Sequence, residues 1–115
     1  MPRRVRPALQ TIPDAIEGIE NAARRKTLED FAADWLIRHA TRRGIEIASE
    51  AARRIPPDPQ ASQPQVPWAQ ITGIGNISRH EYHRVSDTVV WNVVMTHLPS
   101  LKSAVTAIAA SLDEV

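Results

Sequence analysis

The sequence predicts an all-α fold, a helical bundle of about four main helices with short additional helices, in a single domain covering residues 1–115. Three observations lead to this prediction. Apolar residues recur at steps of three and four along several segments, as they do on the buried face of a helix. No segment alternates apolar and polar residues as a β-strand does. Ser, Thr and Pro residues stand where helices would begin.

The first helix is predicted from residue 5, because a stripe of apolar residues follows at steps of four and three. Its members are Val5, Leu9, Ile12, Ile16, Ile19 and Ala23. Pro13 lies inside this stripe, and a proline in a helix interior costs about 3 kcal/mol. The helix therefore either kinks at Pro13 or starts at Asp14, and the continuous stripe favours the kink.

A second helix begins at Thr27, because "TLED" places an acid three residues after a threonine, in the pattern of a capping box. The long central helix follows from about residue 33 to 54, on a stripe of apolar or small residues. These are Ile37, Ala40, Gly44, Ile47, Ala51 and Ile55. The arginines of this helix lie largely off the stripe, which is typical of a solvated face.

The prolines of residues 55–67 predict a loop that runs over the surface. Pro67 and Trp68 then begin a fourth helix, since proline is favoured in a first helical turn. We expect this helix to continue into a polar cluster at residues 75–85, "GNISRHEYHRV".

Two further helices complete the predicted bundle. Ser86 caps a fifth helix with a valine-rich face, and Pro99 opens a sixth. Each has one apolar face, so both are expected to pack on the helices before them.

Composition excludes several classes of site. The chain has no cysteine, which excludes disulfides, thiolate metal sites and a cysteine nucleophile, and favours a reducing, cytoplasmic location. A net charge of +1 does not indicate strong nonspecific nucleic-acid binding. No apolar run approaches the length of a membrane span and the N-terminus does not resemble a signal peptide, so we expect a soluble protein without a membrane partner.

The polar cluster carries the chemistry that could form a site. Asn76, His80, His83 and Arg84 share one helix face, and Arg79 and Tyr82 flank it. A neutral imidazole can take a proton from a hydroxyl, and a guanidinium can stabilise charge that develops on a phosphate. This combination could cleave RNA by attack of the 2′-hydroxyl, without a metal.

The same residues have a structural interpretation, because cations suit the negative end of the helix dipole and gather at helix C-termini. A zinc site is disfavoured, since His80 and His83 have no carboxylate on their face to complete it. Glu46 and Glu50 could face the cluster across the bundle or simply be solvated. We therefore expect no metal and no cofactor.

The cluster and its surroundings resemble the HepT-like family of the HEPN superfamily. The similarity lies in "VPWAQITGIGNISRHEYHRV" and "VVWNVVMTHLPSLKSAVTAI", and continues upstream through "RGIEIASEAARRI" and "TLEDF". It covers nearly the whole chain. The most specific parts are Pro67 with Trp68, the segment 73–82, and the framework of Trp91 and Pro99.

The resemblance implies an α-helical toxin of a toxin–antitoxin module, a metal-independent ribonuclease that forms a homodimer with its cleft at the dimer interface. It also implies a partner, an MntA-type nucleotidyltransferase antitoxin, which transfers AMP from ATP to the tyrosine of the family motif. That motif is an arginine, a short spacer, then His-x-Tyr. His80 and Tyr82 match it, and Asn76 matches the asparagine that commonly follows the arginine. Gly75 stands where the arginine is expected.

These matches imply roles for individual residues. His80 would be the general base or acid, Asn76 would orient the substrate, and Tyr82 would accept AMP. Either Arg79 or Arg84 would contact phosphate in place of the missing arginine, and His83 and Glu46 are secondary candidates. Because of Gly75, an alternative is a catalytically inactive helical dimer that binds a nucleotidyltransferase and positions its substrate. A third interpretation is a plain dimerisation domain.

Overall fold

The computed structural model describes residues 5–73 and 86–113, and these form helices joined by short turns without a strand among them. The helices are α1 (Val5–Ala23), α2 (Leu28–Ala33), α3 (Trp35–Ala52), α4 (Pro57–Ala61), α5 (residues 68–73), α6 (Asp87–Asn92) and α7 (Leu98–Asp113), with a π-helical turn at Val93–His97 between the last two. The predicted all-α fold is confirmed.

Helix α1 runs without interruption through Pro13, so the alternative in which it starts at Asp14 is wrong. Every member of the predicted stripe from Val5 to Ala23 is buried, and Ala8 is buried with them. The free energy gained by burying this apolar face offsets the loss of the backbone hydrogen bond that Pro13 cannot donate. Helix α1 packs against both α3 and α7 and forms the centre of the core.

Helices α1 and α3 approach each other closely at Gly44. A Cβ atom on Gly44 would lie 2.7 Å from Cδ1 and 2.8 Å from Cγ1 of Ile19, whose side chain is buried. Glycine at this position therefore sets the spacing of the two helices.

We expect Gly44→Val to destabilise the protein by about 2 kcal/mol, because the added methyl groups overlap Ile19 in a packed interface. Gly18→Ala is the matched control. Gly18 lies in α1 with no atom within 4 Å of its would-be Cβ, so alanine should stabilise the protein by up to about 1 kcal/mol through helix propensity. Urea denaturation measures both variants, and equal effects of the two would contradict this account of the interface.

The predicted capping box at α2 is confirmed. Thr27 N–H donates to Oδ2 of Asp30 at 2.9 Å, and the Asp30 N–H donates to Oγ1 of Thr27 at 3.1 Å. The backbone hydrogen bond from Thr27, followed by the side-chain one, holds the pKa of Asp30 below its ordinary value of 3.8. This interaction stabilises the fold above that value and is lost as the pH falls through the lowered pKa.

Residues 55–67 are less irregular than the sequence predicts, because they include the short helix α4. Pro57 lies in the first turn of α4. A backbone N–H at this position has no acceptor within the helix, so proline loses no hydrogen bond there. The Gln60 side chain donates to the Ile55 carbonyl at 2.9 Å, and the Trp68 indole donates to the Gln60 carbonyl at 3.0 Å. Val66 is buried, so the segment is fastened to the core.

The predicted break between the fifth and sixth helices is absent. The π-helical turn at Val93–His97 joins α6 to α7, and Pro99 lies in the first turn of α7 instead of starting a new helix. The wider π turn directly before Pro99 accommodates a residue that lacks an N–H donor.

The continuous helical run at Asp87–Leu112 is, by length and composition, long and apolar enough to cross a membrane. The sequence predicts a break in this run at Pro99, and neither of the two predicted helices is long enough to cross a membrane. Core helices of soluble bundles pass the same test, and here Val90, Leu98 and Leu101 are buried in the core.

Candidate active site

Most of the predicted site lies outside the described residues. This applies to Asn76, Arg79, His80, Tyr82, His83 and Arg84, and also to Gly75. The structure describes the chain on both sides of them, up to residue 73 and again from residue 86. The described residues on either side of this segment show how the flanking chain is held to the bundle.

The entry to this segment is fixed to α3 through backbone carbonyl groups. The Ser49 hydroxyl, which is buried, donates to the Ile71 carbonyl at 2.8 Å. One turn later, at the C-cap of α3, the Arg53 guanidinium donates to the Thr72 carbonyl at 3.3 Å. The last described turn of α5 is therefore held by two donors from one helix.

The exit from the segment is fixed to the same helix by an ion pair. Ser86 caps α6, as predicted, by accepting a hydrogen bond from the Val89 N–H at 3.2 Å. Oδ1 of Asp87 accepts from Nε of Arg38 at 3.2 Å and from Nη2 of Arg42 at 3.0 Å. Two guanidinium groups thus share one carboxylate oxygen.

The four residues that donate these hydrogen bonds lie along one side of α3 and its C-cap. We call this set the α3 flank: Arg38, Arg42, Ser49 and Arg53. Their spacing of four, seven and four residues places them along a single stripe. At 1.5 Å per residue, Arg42 and Ser49 lie about 10 Å apart along the helix axis. The described residues on either side of the segment 74–85 are therefore held by the same flank of one helix.

The role of these arginines is not predicted by the sequence. Their position off the apolar stripe indicates a solvated face, whereas the Arg42 side chain is only 5% exposed and Arg38 is 32% exposed. The available signal was the spacing of Arg38 and Arg42, one helical turn apart and off the apolar stripe. The local sequence pattern could not indicate that they share Asp87 as a partner, because Asp87 lies 45 residues beyond Arg42. Asp87 pairs with both arginines although its own side chain is 25% exposed.

Glu46, a secondary candidate, is the one predicted site residue that the structure describes. Its carboxylate accepts a hydrogen bond from Nη1 of Arg43 at 3.1 Å. It also lines a surface cavity between α1 and α3 together with Thr11, Glu50 and Arg54. Its position relative to the polar cluster is not described, so its role there stays a prediction.

The other histidines and the acidic residues form no metal centre in the described part of the chain. Within residues 5–73 and 86–113, no three metal-ligating side chains come together. The His39 ring stacks on Trp35 with centroids 4.2 Å apart and donates to the Trp35 carbonyl at 2.8 Å. The His39 ring therefore packs against the first turn of α3.

Comparison with known proteins gives the family. The model of the family described as ribonuclease HepT-like matches residues 12–108. The chain belongs to the HepT-like ribonuclease family. A curated relative from Thermococcus cleftensis, named probable ribonuclease HepT, is 35% identical over 102 residues, which are 89% of this chain and 93% of the relative.

Other relatives carry similar names. A protein from Caldanaerobacter subterraneus that is named as an RNase is 29% identical over 87% of this chain and 89% of its own length. Another named RNase, from Methanocaldococcus jannaschii, is 34% identical over 66% of this chain and 70% of its own length. No solved structure matches this HepT-like chain. The match to the family model includes both anchored ends of the segment and the residues between them.

Proposed function

We propose that this HepT-like chain is the toxin of a toxin–antitoxin module and acts in the cytoplasm as a metal-independent endoribonuclease. The observation that carries the proposal is the family match over residues 12–108, a stretch that includes His80 and Tyr82 of the family motif. The α3 flank supports it, because one helix holds the described residues on both sides of the segment in which these residues stand.

The proposed chemistry needs only groups of the chain and the RNA. His80 takes the proton of a ribose 2′-hydroxyl, whose oxygen attacks the adjacent phosphorus as the bond to the 5′-oxygen breaks. A protonated imidazole returns a proton to that leaving oxygen, and the products are a 2′,3′-cyclic phosphate and a 5′-hydroxyl. Arg79 or Arg84 stabilises the developing charge on the phosphate, and Asn76 orients it, with His83 and Glu46 as secondary candidates.

The direct test is incubation of the purified protein with end-labelled single-stranded RNA in the presence of EDTA. We expect cleavage products that end in 2′,3′-cyclic phosphate. RNA with 2′-O-methyl riboses should stay intact, because it lacks the attacking hydroxyl. If unmodified RNA also stays intact at several pH values, the nuclease proposal fails.

We further propose that the protein is a homodimer whose interface includes an exposed apolar surface. This surface consists of Trp35, Leu36, Val89 and Met95, which are 66%, 68%, 51% and 52% exposed. They lie at the start of α3, on α6 and on the π turn, and the Arg38–Asp87 pair links α3 to α6. Large exposed apolar side chains on adjoining elements are typical of a protein interface, and the second copy is the partner that the family resemblance implies.

We expect Met95→Asp to raise the dissociation constant of the dimer at least about tenfold, because it adds a charge to a surface that becomes buried. Ala107→Asp is the control, since Ala107 is exposed on the same helical run but away from this surface. Sedimentation equilibrium measures both. An unchanged dimer in Met95→Asp would exclude this surface as the interface.

The proposed antitoxin is an MntA-type nucleotidyltransferase that modifies Tyr82. The phenol oxygen attacks the α-phosphate of ATP, a phosphodiester to AMP forms, and pyrophosphate leaves. The test combines the toxin, the nucleotidyltransferase encoded beside it and ATP labelled in the α-phosphate. Label should enter the wild-type toxin and not Tyr82→Phe, whereas equal labelling of both would place the modification elsewhere.

A second candidate function is favoured by Gly75, which replaces the motif arginine. In this alternative the chain is a catalytically inactive helical dimer that binds a nucleotidyltransferase and positions its substrate. It predicts a stable complex with the nucleotidyltransferase together with intact RNA in the cleavage assay above. Cleavage that depends on His80 would exclude it.

A further inference from the structure

We propose that the cavity between α4 and the C-terminal end of α7 binds a small organic ammonium ion, an amine with an apolar body. The apolar body lies in the cavity, and the N–H groups of the ammonium donate to the chain. No residue of the family motif takes part, so this site is separate from the proposed ribonuclease function.

The cavity has the size and lining of a small-molecule site. Its volume is about 440 Å³, within the range of about 300 to 1,000 Å³ that is typical of ligand pockets. Ile108 and Leu112 line it from α7, and Pro56 and Pro59 line it from the opposite side. These four side chains carry no polar group, so they favour a ligand with an apolar body.

The hydroxyl groups at the cavity can only accept further hydrogen bonds. The Ser62 hydroxyl donates to the Pro59 carbonyl at 2.6 Å, and the Ser111 hydroxyl donates to the Ile108 carbonyl at 2.7 Å. A serine hydroxyl has one hydrogen to donate, so each oxygen keeps only its capacity to accept. Pro56 and Pro59 add no backbone N–H. A ligand that hydrogen-bonds to these hydroxyl groups must therefore bring the donors.

The charge at the cavity favours a cation. Asp58 lines the cavity and is exposed, and its carboxylate has no ion pair or hydrogen bond within residues 5–73 and 86–113. Helix α7 ends at Asp113, so the turn that includes Ser111 and Leu112 carries the negative end of the helix dipole. The sequence of that turn contains no basic residue. An ammonium group can pair with Asp58 and lie near this helix end at the same time.

The test titrates the isotope-labelled wild-type protein with phenethylamine and follows the amide chemical shifts by NMR. We expect saturable shifts at Asp58, Ser62, Ser111 and Leu112, with a dissociation constant of about 1 mM, an ordinary affinity for a ligand of this size. Phenethyl alcohol has the same apolar body without the charge. It should bind about tenfold more weakly, because hydrogen bonds between charged groups are the stronger ones.

Three variants separate the charge from the shape of the cavity. Asp58→Asn should weaken phenethylamine binding about tenfold, because it removes the carboxylate that pairs with the ammonium. Glu29→Gln is the matched control, since Glu29 is also exposed in the first turn of a short helix but does not line the cavity, and it should bind like wild type. Ser111→Leu keeps the carboxylate and partly fills the cavity, so it should weaken the binding of amine and alcohol alike.

Four results would overturn the inference. These are the lack of saturable shifts, shifts centred outside α4 and the end of α7, equal binding of amine and alcohol, and unchanged amine binding in Asp58→Asn. None of them depends on RNA cleavage, so the ribonuclease proposal stands or fails separately.

Discussion

Replacing His80 by alanine lowers the rate of RNA cleavage by a factor of about 10² to 10⁴, the range that a positioned general acid or base contributes. The expected loss is this large because, in the proposed mechanism, the imidazole handles the proton of both the attacking and the leaving oxygen. Single-turnover rates on a fixed oligonucleotide measure the effect without a contribution from product release.

The matched controls for His80→Ala are two other histidines. His83→Ala should reduce the rate less, because His83 is only a secondary candidate. His97→Gln should leave it near the wild-type value, since His97 lies in the π turn at Val93–His97, outside the segment that carries the motif. The wild-type rate should also fall as the pH drops below about 6.5, where an imidazole ordinarily gains a proton. Equal activity of wild type and His80→Ala would remove His80 from the mechanism.

Replacing Asp87 by alanine destabilises the protein by about 3 kcal/mol, because it removes a carboxylate that pairs with Arg42, a cation whose side chain is 95% buried. This value is at the lower end of the range for broken buried pairs, since Asp87 itself is partly exposed. Urea denaturation gives the change in the free energy of unfolding. Because Asp87 directly follows the candidate segment, we also expect a loss of RNA cleavage under conditions where the variant remains folded.

Two further variants decide whether the ion pair causes this loss. Asp58→Ala removes another aspartate from the first turn of a helix, but one in an exposed position, and should change stability by less than about 0.5 kcal/mol. Adding Arg42→Met to Asp87→Ala should recover part of the lost stability, because an apolar side chain then replaces the buried cation that has lost this carboxylate. Full stability of Asp87→Ala alone would show that α3 holds α6 by packing and not by charge.

Local sequence patterns predicted most of the helices. The stripe of α1, the capping box at Thr27 and the cap at Ser86 each depend on residues within a few positions of one another, so their chemistry can be read directly from the sequence. The predictions that are wrong concern prolines, which occur both in loops and in first helical turns. Pro99 indicates the start of a new helix, whereas the π turn before it lets the helix continue. The prolines of residues 55–67 indicated a loop, although Pro57 is well suited to the first turn of α4.

The candidate site was predicted mainly through a family resemblance carried by His80, Tyr82 and their neighbours. Residue types alone favour a solvated helix end over a site as the interpretation of the polar cluster, because cations at a helix C-terminus need no function. The family match over residues 12–108 supports the resemblance. The roles of the individual residues in the segment 74–85 remain predictions for the experiments above.

By itself, the sequence determined the helical class, the caps and the core face of α1, because hydrophobic periodicity and capping act over one or two turns of chain. Only the tertiary structure decided that Arg42 is buried, that it shares Asp87 with Arg38, and that Ser49 and Arg53 hold the other end of the same segment. These contacts join residues 19 to 49 positions apart, so they exist only after α5 and α6 have packed beside α3. The sequence around a polar residue on a helix does not indicate which distant residue or water molecule will form its hydrogen bonds.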